Sequence, residues 1–447
     1  MRKTFHMHAY SHSARIFAGV CLFGVMACHG LLDASNPTVV QDSDIANASG
    51  ANARRLNVVY HFYVDVSLAA NDVALFTDER TYDQNGYFPK DPNLALDQRN
   101  STLYEQLIGT QQDIHLGELD DVIARSAVAI PSIRANAADS VKDDFLAQLF
   151  AMRGYAILQM AEDICSGFPI NDVLPNNQPV YSGPYTTDSA VAYGIVQLDS
   201  ALAHGRDSTQ FIDFASVVKG RALLNLGQYA EAAAAVSNVP TTFVYEVDST
   251  SSANFFNVNS GVFDWSVNPM AVGDREGGNG LPFVSAQDPR VPTVFVQTRF
   301  DTPADSLYDQ LKYPTSRTPM VLASGIEARL IEAEAALNAG DPTWLTILNT
   351  LRSTAITPAM APLTDPGTTS ARVDLLYGER AFWLYLTGRR LGDLRRLIRN
   401  YGRDPQTVFP TGNHPVGGIY STGTAIPFIT AVYASYNAQL AGGCTSR

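Results

Sequence analysis

The chain has 447 residues, 46% of them hydrophobic and 17% charged, with a formal net charge of −13. That length supports one large domain or two to three ordinary ones, and the acidic balance excludes nucleic-acid binding, which needs a concentrated basic face. Only five lysines occur, so positive charge rests mainly on arginine, whose fork suits specific hydrogen-bonded pairs.

Residues 1–27 carry Arg2, Lys3 and Arg15 and no acid, and then the uncharged run "IFAGVCLFGVMA" from Ile16 to Ala27. Twelve helical residues span about 18 Å, short of the roughly 30 Å of a bilayer core. A basic start, a short apolar middle and a small residue before the cut describe a secretory signal. Val25-Met26-Ala27-Cys28 resembles the bacterial lipobox, whose cysteine becomes the lipidated first residue. Multiple acyl chains anchor stably where one does not. Residues 28–50, "CHGLLDASNP" and onward, then read as a polar tether. Cleavage removes three basic residues, leaving 28 against 44 acids and a net charge of −16. Cys21 leaves with the signal and Cys28 is modified. Cys165 and Cys444 remain, as two free thiols or as a pair, and an oxidising compartment favours the pair. No CxxC exists, and no HxxxH spacing lies beyond residue 27, so no metal site is expected.

Paired helices follow from residue 104. The pattern places helices over about 104–135 and 141–164, then 188–204 with 214–236, then 321–339 with 343–353, and a last long helix from Val373 to Arg399. "GRALLNLGQYAEAAAAVSNVP" puts Gly220, Gly227, Tyr229, Ala232 and Pro240 at the small and aromatic places of a tetratricopeptide unit. "ARLIEAEAALNAGDPTWLTILNTLR" repeats the scheme, with Ile326, Leu330, Ala333 and Leu337 as a core-facing stripe. Such pairs bury their faces only by stacking on neighbours. The segment 241–320 differs. It is rich in Gly, Asn, Ser and Pro with aromatics embedded, and a long irregular insertion in a helical frame is usually functional. The region from Pro405 is likewise loop-rich, ahead of a short helix at about 429–440.

In "GERAFWLYLTGRRLGDLRRL" (378–397), Tyr377, Ala381, Leu384, Gly388, Leu391 and Ile398 share one helical face. Gly388 inside a helix costs about 1 kcal/mol, which packing or a kink must offset. Glu379, Arg380, Arg389, Arg390, Asp393, Arg395 and Arg396 flank the stripe, with Arg389 and Asp393 spaced to pair. An ion network locking the helix to the scaffold is favoured over an anion site.

That motif resembles the C-terminal helix of SusD/RagB-family outer-membrane lipoproteins. Further pieces follow in family order: Cys28 with "LLDASNP", "AMRGYAILQMAEDICSGFPI", "AQDPRV" (286–291), "EARLIEAEAALNAGDPTWLTILNTLR", and "AIPF" before "YNAQL". "AIPF" lacks the doubled proline frequent there, and Cys165 stands where Tyr-Gly is common. The resemblance implies a mainly α, SusD-like fold: a tetratricopeptide-like scaffold with loop-rich insertions, one domain over 51–447. It implies a non-catalytic lid that binds a glycan, or a peptide, at the cell surface. A lipid anchor would hold it in the outer membrane, and its partner would be a SusC-like TonB-dependent transporter. A scaffold that assembles envelope proteins without a small ligand is the alternative.

Ligand residues do not transfer by motif. The candidates are aromatics of the irregular segment, Tyr245, Phe255, Phe256, Phe263 and Trp265, on whose rings the apolar face of a sugar packs. Asn268, Asp274 and Arg275 stand nearby to bond hydroxyls. Burial in a local core is the competing reading for each. No cofactor is expected. Glu327 and Glu334, about 10.5 Å apart along a helix, are expected to face solvent, and no nucleophile elbow, P-loop or HExxH motif exists. "GDREGGNG" reads as a solvated turn, and the single histidines as structural or exposed.

Overall fold

A computed structural model of the chain describes residues 45–82, 92–103, 115–164, 166–173, 179–205, 208–247, 270–298, 306–315, 318–415 and 417–427. The first helix, α1 (Ala48–Phe76), begins where the sequence reading has the tether end and fills a stretch that reading left unassigned. Asn47 caps it by accepting from Gly50 N at 2.9 Å. Every residue from Asp65 to Tyr82 is buried, including Asp65, Ser67, Asn71 and Asp72. With no solvent face there is no amphipathic stripe to read. Short β1 (Arg80–Tyr82) and α2 (Pro92–Asp97) follow.

The helices then stack in chain order: α3 (His115–Asn136), α4 (Asp139–Asp163), α5 (Thr187–His204), α6 (Thr209–Asn225), α7 (Tyr229–Val236), α8 (Gly325–Asn338) and α9 (Thr343–Thr354). Each packs on its predecessor, and α1 closes on α3 and α4. The expected block 214–236 is two helices broken at Gly227, whose φ of +71° suits glycine. Gly220 lets α6, α7 and α8 approach, since a Cβ there would lie 2.6 Å from Val236 Cγ1 and 3.3 Å from Ile331 Cδ1. On α8, Leu330 and Ala333 are fully buried in one core cluster while Ile331 enters the other.

The expected helix over 373–399 is interrupted. α10 (Thr369–Trp383) and α11 (Arg390–Tyr401) are separated by a turn in which Leu386 has φ +52° and Gly388 has φ +73°. Gly388 is therefore a turn glycine, not part of a helical stripe, and a Cβ on it would meet Ala70 Cβ at 3.2 Å. A four-residue helix α12 (Pro405–Val408) follows.

Short antiparallel ribbons hang on this frame. β2 (Phe168–Val173) pairs β3 (Pro179–Tyr185), and β1 pairs β5 (Met270–Val272). β4 (Val244–Val247) pairs β8 (Met320–Ser324), and β6 (Thr293–Thr298) pairs β7 (Ser306–Gln310). The segment 241–320 thus holds strands that its composition concealed. The final segment is stapled down by Arg99, which donates to Gly423 O at 2.7 Å and to Pro410 O. His414 Nε2 lies 3.0 Å from Asp97 Oδ2, with both side chains fully buried. Ile426 N donates to Asp163 O at 2.8 Å, which brings this segment beside Ile164. Cys28, Cys165, Cys444 and the 429–440 helix lie outside the described residues.

Candidate functional site

The arginine-rich motif around α10 and α11 is a buried hub whose charges pair with one another and with several other elements. Glu379 accepts from Arg290 at 2.7 Å and from Arg352 at 2.7 Å. Arg380 grips Asp393 with two bonds of 2.8 Å, and Arg396 joins Asp393 at 2.9 Å to Glu334 at 3.0 Å. Tyr377 Oη donates to Glu334 at 2.8 Å. Arg389 reaches Glu162 at 3.2 Å and Tyr155 Oη at 2.5 Å, so the expected Arg389–Asp393 pair does not form. Arg390 forks onto Asp78 at 2.7 and 2.9 Å. Arg395 donates to the carbonyls of Ala161, Glu162 and Ile164, the orphan acceptors at the end of α4. Burial, then Arg399 nearby, lowers Arg395 to about 10. Burial pushes Asp393 up, but Arg380 and Arg396 overcome it and hold the carboxyl at about 2.

Glu327 and Glu334 therefore do not face solvent; they are 1% and 0% exposed. Ser324 and Glu327 have the spacing of a capping box, and Ser324 Oγ does accept from Glu327 N at 3.2 Å. The Glu327 carboxylate turns away to Arg221, at 2.7 and 2.9 Å. A carboxylate follows its arginine here, not the helical wheel.

The hub also sets the strands. Glu79 Oε1 accepts from Leu386 N at 3.0 Å, and Tyr385 Oη donates to Glu79 O at 3.0 Å. Lys312, just after β7, donates to Tyr385 O at 2.6 Å. Burial raises Glu79 to about 8 and lowers Lys312 to about 8. The turn between α10 and α11 is thereby held from β1 and from the β7 side, and β7 packs on β5.

Of the strands so held, β5 bounds the segment 248–269 on its C-terminal side. This segment leaves from Val247 of β4 and returns at Met270 of β5, which pairs with Tyr82. Phe255, Phe256, Phe263, Trp265 and Asn268 lie in it, outside the described residues. Tyr245 is not at a surface. It is 1% exposed and stacks on Phe214 with ring centroids 4.0 Å apart, so it serves the core. Asp274 Oδ1 accepts from Val284 N, Ser285 N and Ser285 Oγ at 2.9–3.1 Å, which makes it a loop staple. Arg275 is exposed in the left-handed region, with φ +56°, and donates to Ser285 Oγ at 3.2 Å.

Sequence reasoning missed the ribbon β6–β7. Phe295 is 53% exposed, next to Val294 at 45% and Leu311 at 40%. Phe295 and Tyr308 are register partners whose rings meet edge to face at 5.8 Å. The run Val-Phe-Val between polar ends was the available signal. A separate polar cleft of about 490 Å³ lies between α5, α6 and α11, lined by Thr186, Asp188, Asn225, Arg399 and Asn400. Among the described residues no group of three or more His, Cys, Asp or Glu could hold a metal, and no helix is long and apolar enough to cross a membrane.

No family model and no curated protein matches the chain. Solved structures do. A SusD superfamily protein from Bacteroides thetaiotaomicron VPI-5482 aligns with TM-score 0.65 at 14% identity, covering 88% of this chain and 98% of that one. Surface glycan-binding protein A from Bacteroides uniformis aligns with TM-score 0.59 at 14% identity over 87% and 98%. A SusD-like carbohydrate binding protein from Bacteroides vulgatus ATCC 8482 aligns with TM-score 0.52 at 14% identity over 79% and 83%. The chain has the SusD-like fold, a mainly α, tetratricopeptide-like frame.

Proposed function

We propose that this protein is a cell-surface receptor that binds an oligosaccharide and delivers it to a SusC-like TonB-dependent transporter in the outer membrane. The observation that supports it most is the match of almost the whole frame to proteins described as carbohydrate-binding and surface glycan-binding. The half-exposed Phe295 beside Tyr308 offers the aromatic surface such a ligand needs. A net charge of −13 fits a neutral ligand better than an acidic one. The tether is the lipidated Cys28, which follows a signal over residues 1–27. No step of this reading asks the protein for catalysis.

A glycan array followed by calorimetry on residues 28–447 tests the binding. Saturable binding of a neutral glycan, lost in Trp265→Ala or Phe295→Ala, is expected, and silence across the array would end the reading. The anchor is tested apart from it. Cys28→Ser should abolish acyl labelling and release the protein from the membrane fraction.

A further inference from the structure

We infer that the outer edge of β6 is a docking edge for an extended polypeptide, an uncharged or basic segment of a partner protein that adds to the ribbon as a third strand. β6 has β7 as its one strand neighbour among the described residues. The phase of the ladder tells which backbone groups are left over. Leu311 N donates to Pro292 O at 2.7 Å, so residues 292 and 311 form a hydrogen-bonded pair. Pairs alternate along an antiparallel ladder. Val294 and Asp309 are therefore the next bonded pair, and the N–H and C=O of Thr293 and Phe295 point away from β7. Among the described residues no group pairs with them.

Exposed edges are normally blunted with charges, with proline or by bulges. β6, "TVFVQT", carries no charge. Its free edge is bounded by Pro292, which has no N–H, and by the register shift between Phe295 and Gln297. The open groups thus span about 7 Å, one repeat of an extended strand. That is too short a seam for a second copy of this chain, since a stable dimer buries at least about 1,000 Å² and both copies carry −13. It is enough for a short extended segment, in which backbone bonds give affinity and neighbouring side chains give specificity. Val294 and Phe295, 45% and 53% exposed, supply apolar contacts for its alternate side chains. The acidic chain disfavours an acidic segment. This inference does not require glycan binding, but the two share Phe295, so segment and glycan exclude each other there.

The probe is a fluorescent eight-residue peptide of alternating valine and threonine with a lysine at each end, titrated against the full mature chain. Saturable binding is expected, with at least tenfold loss when every backbone amide of the peptide is N-methylated. Thr293→Pro removes one outward N–H and leaves the bonds to β7 intact, as proline on an edge strand permits. It should keep the wild-type melting temperature and lose at least tenfold in peptide affinity, whereas Thr293→Ala should bind as wild type. Equal binding of the methylated peptide, no binding by wild type, or Thr293→Pro indistinguishable from wild type would each overturn the inference. So would a concentration-dependent dimer in sedimentation that Thr293→Pro abolishes, because the edge would then belong to a second copy.

Discussion

The hub around α10 and α11 and the ribbon β6–β7 invert the usual distribution of residues. In the hub, Arg380, Arg389, Arg390, Arg395 and Arg396 are all at most 6% exposed, while on the ribbon Val294 and Phe295 stand half in water. Buried charges are tolerated only when each is paired and bonded. The hub draws carboxylates from the turn after α1, from α4 and from α8, and bonds Arg395 to the carbonyls that end α4, and so it specifies which elements meet. Apolar groups left in water stabilise nothing in the free chain, and clustered they mark a contact surface. One region dictates the frame and the other is available for a ligand or partner.

Substitutions can break this contrast, and the largest effect belongs to the hub. Asp393→Ala leaves Arg380 and Arg396 with Glu334 as their one shared carboxylate, 3.7 and 3.0 Å away, a loss of about 3–5 kcal/mol by analogy with other severed buried pairs. Urea melts measure it, and a loss under 1 kcal/mol would refute the organising role of the pair. The same carboxyl, held at about 2 when folded, contributes stability above the unfolded value near 4 that disappears as pH falls toward 2.

Burial acts on Glu79 with the opposite sign. Its pKa rises from 4.5 to about 8, so the folded chain keeps a proton that the unfolded chain releases. Stability should fall as pH rises from about 4.5 to about 8 and then level off. Glu79→Gln keeps an acceptor for Leu386 N and removes that slope, raising stability by about 4 kcal/mol at pH 8; melts at pH 5 and pH 8 would show it.

Two glycines of the same motif should respond in opposite directions. Gly388→Ala forces a side chain to φ +73° against Ala70, costing about 1–2 kcal/mol. Gly378 in α10 has nothing within 4 Å of its Cβ position, so Gly378→Ala should stabilise by about 0.5–1 kcal/mol. On the ribbon, Phe295→Ala should shift stability by no more than about 0.5 kcal/mol while ligand binding falls at least tenfold in calorimetry.

A covalent link would sharpen the comparison, since Ile426 lies against Ile164, one residue before Cys165. We expect Cys165 and Cys444 to resist alkylation in the native non-reduced protein. Labelling of both would exclude the bridge.

Several helices were legible within a few residues. The reading 141–164 became Asp139–Asp163, 188–204 became Thr187–His204, and 343–353 became Thr343–Thr354. α1 was left unassigned, although α4, buried on every side over Leu146–Asp163, was read. The break at Leu384–Arg389 was also hidden, since "LYLTGR" contains no proline and its glycine can sit in a helix or a turn. Within the insertion, aromatic content named Tyr245, which the interior claimed, and passed over the exposed Phe295. Aromatic rings serve a core and a surface equally well, and only packing tells them apart.

Local properties were thus determined by the sequence alone: helical periodicity, the small residues where helices cross, and a motif order that matches the SusD-like fold. Long-range matters were decided by the tertiary structure. Arg396 finds Glu334 and Arg221 finds Glu327 across the fold, and through them two glutamates expected in water were taken into the core. The physical reason is range. Periodicity and propensity act within a turn or two of the chain, whereas a buried charge is settled by whichever opposite charge the folded frame brings within about 3 Å.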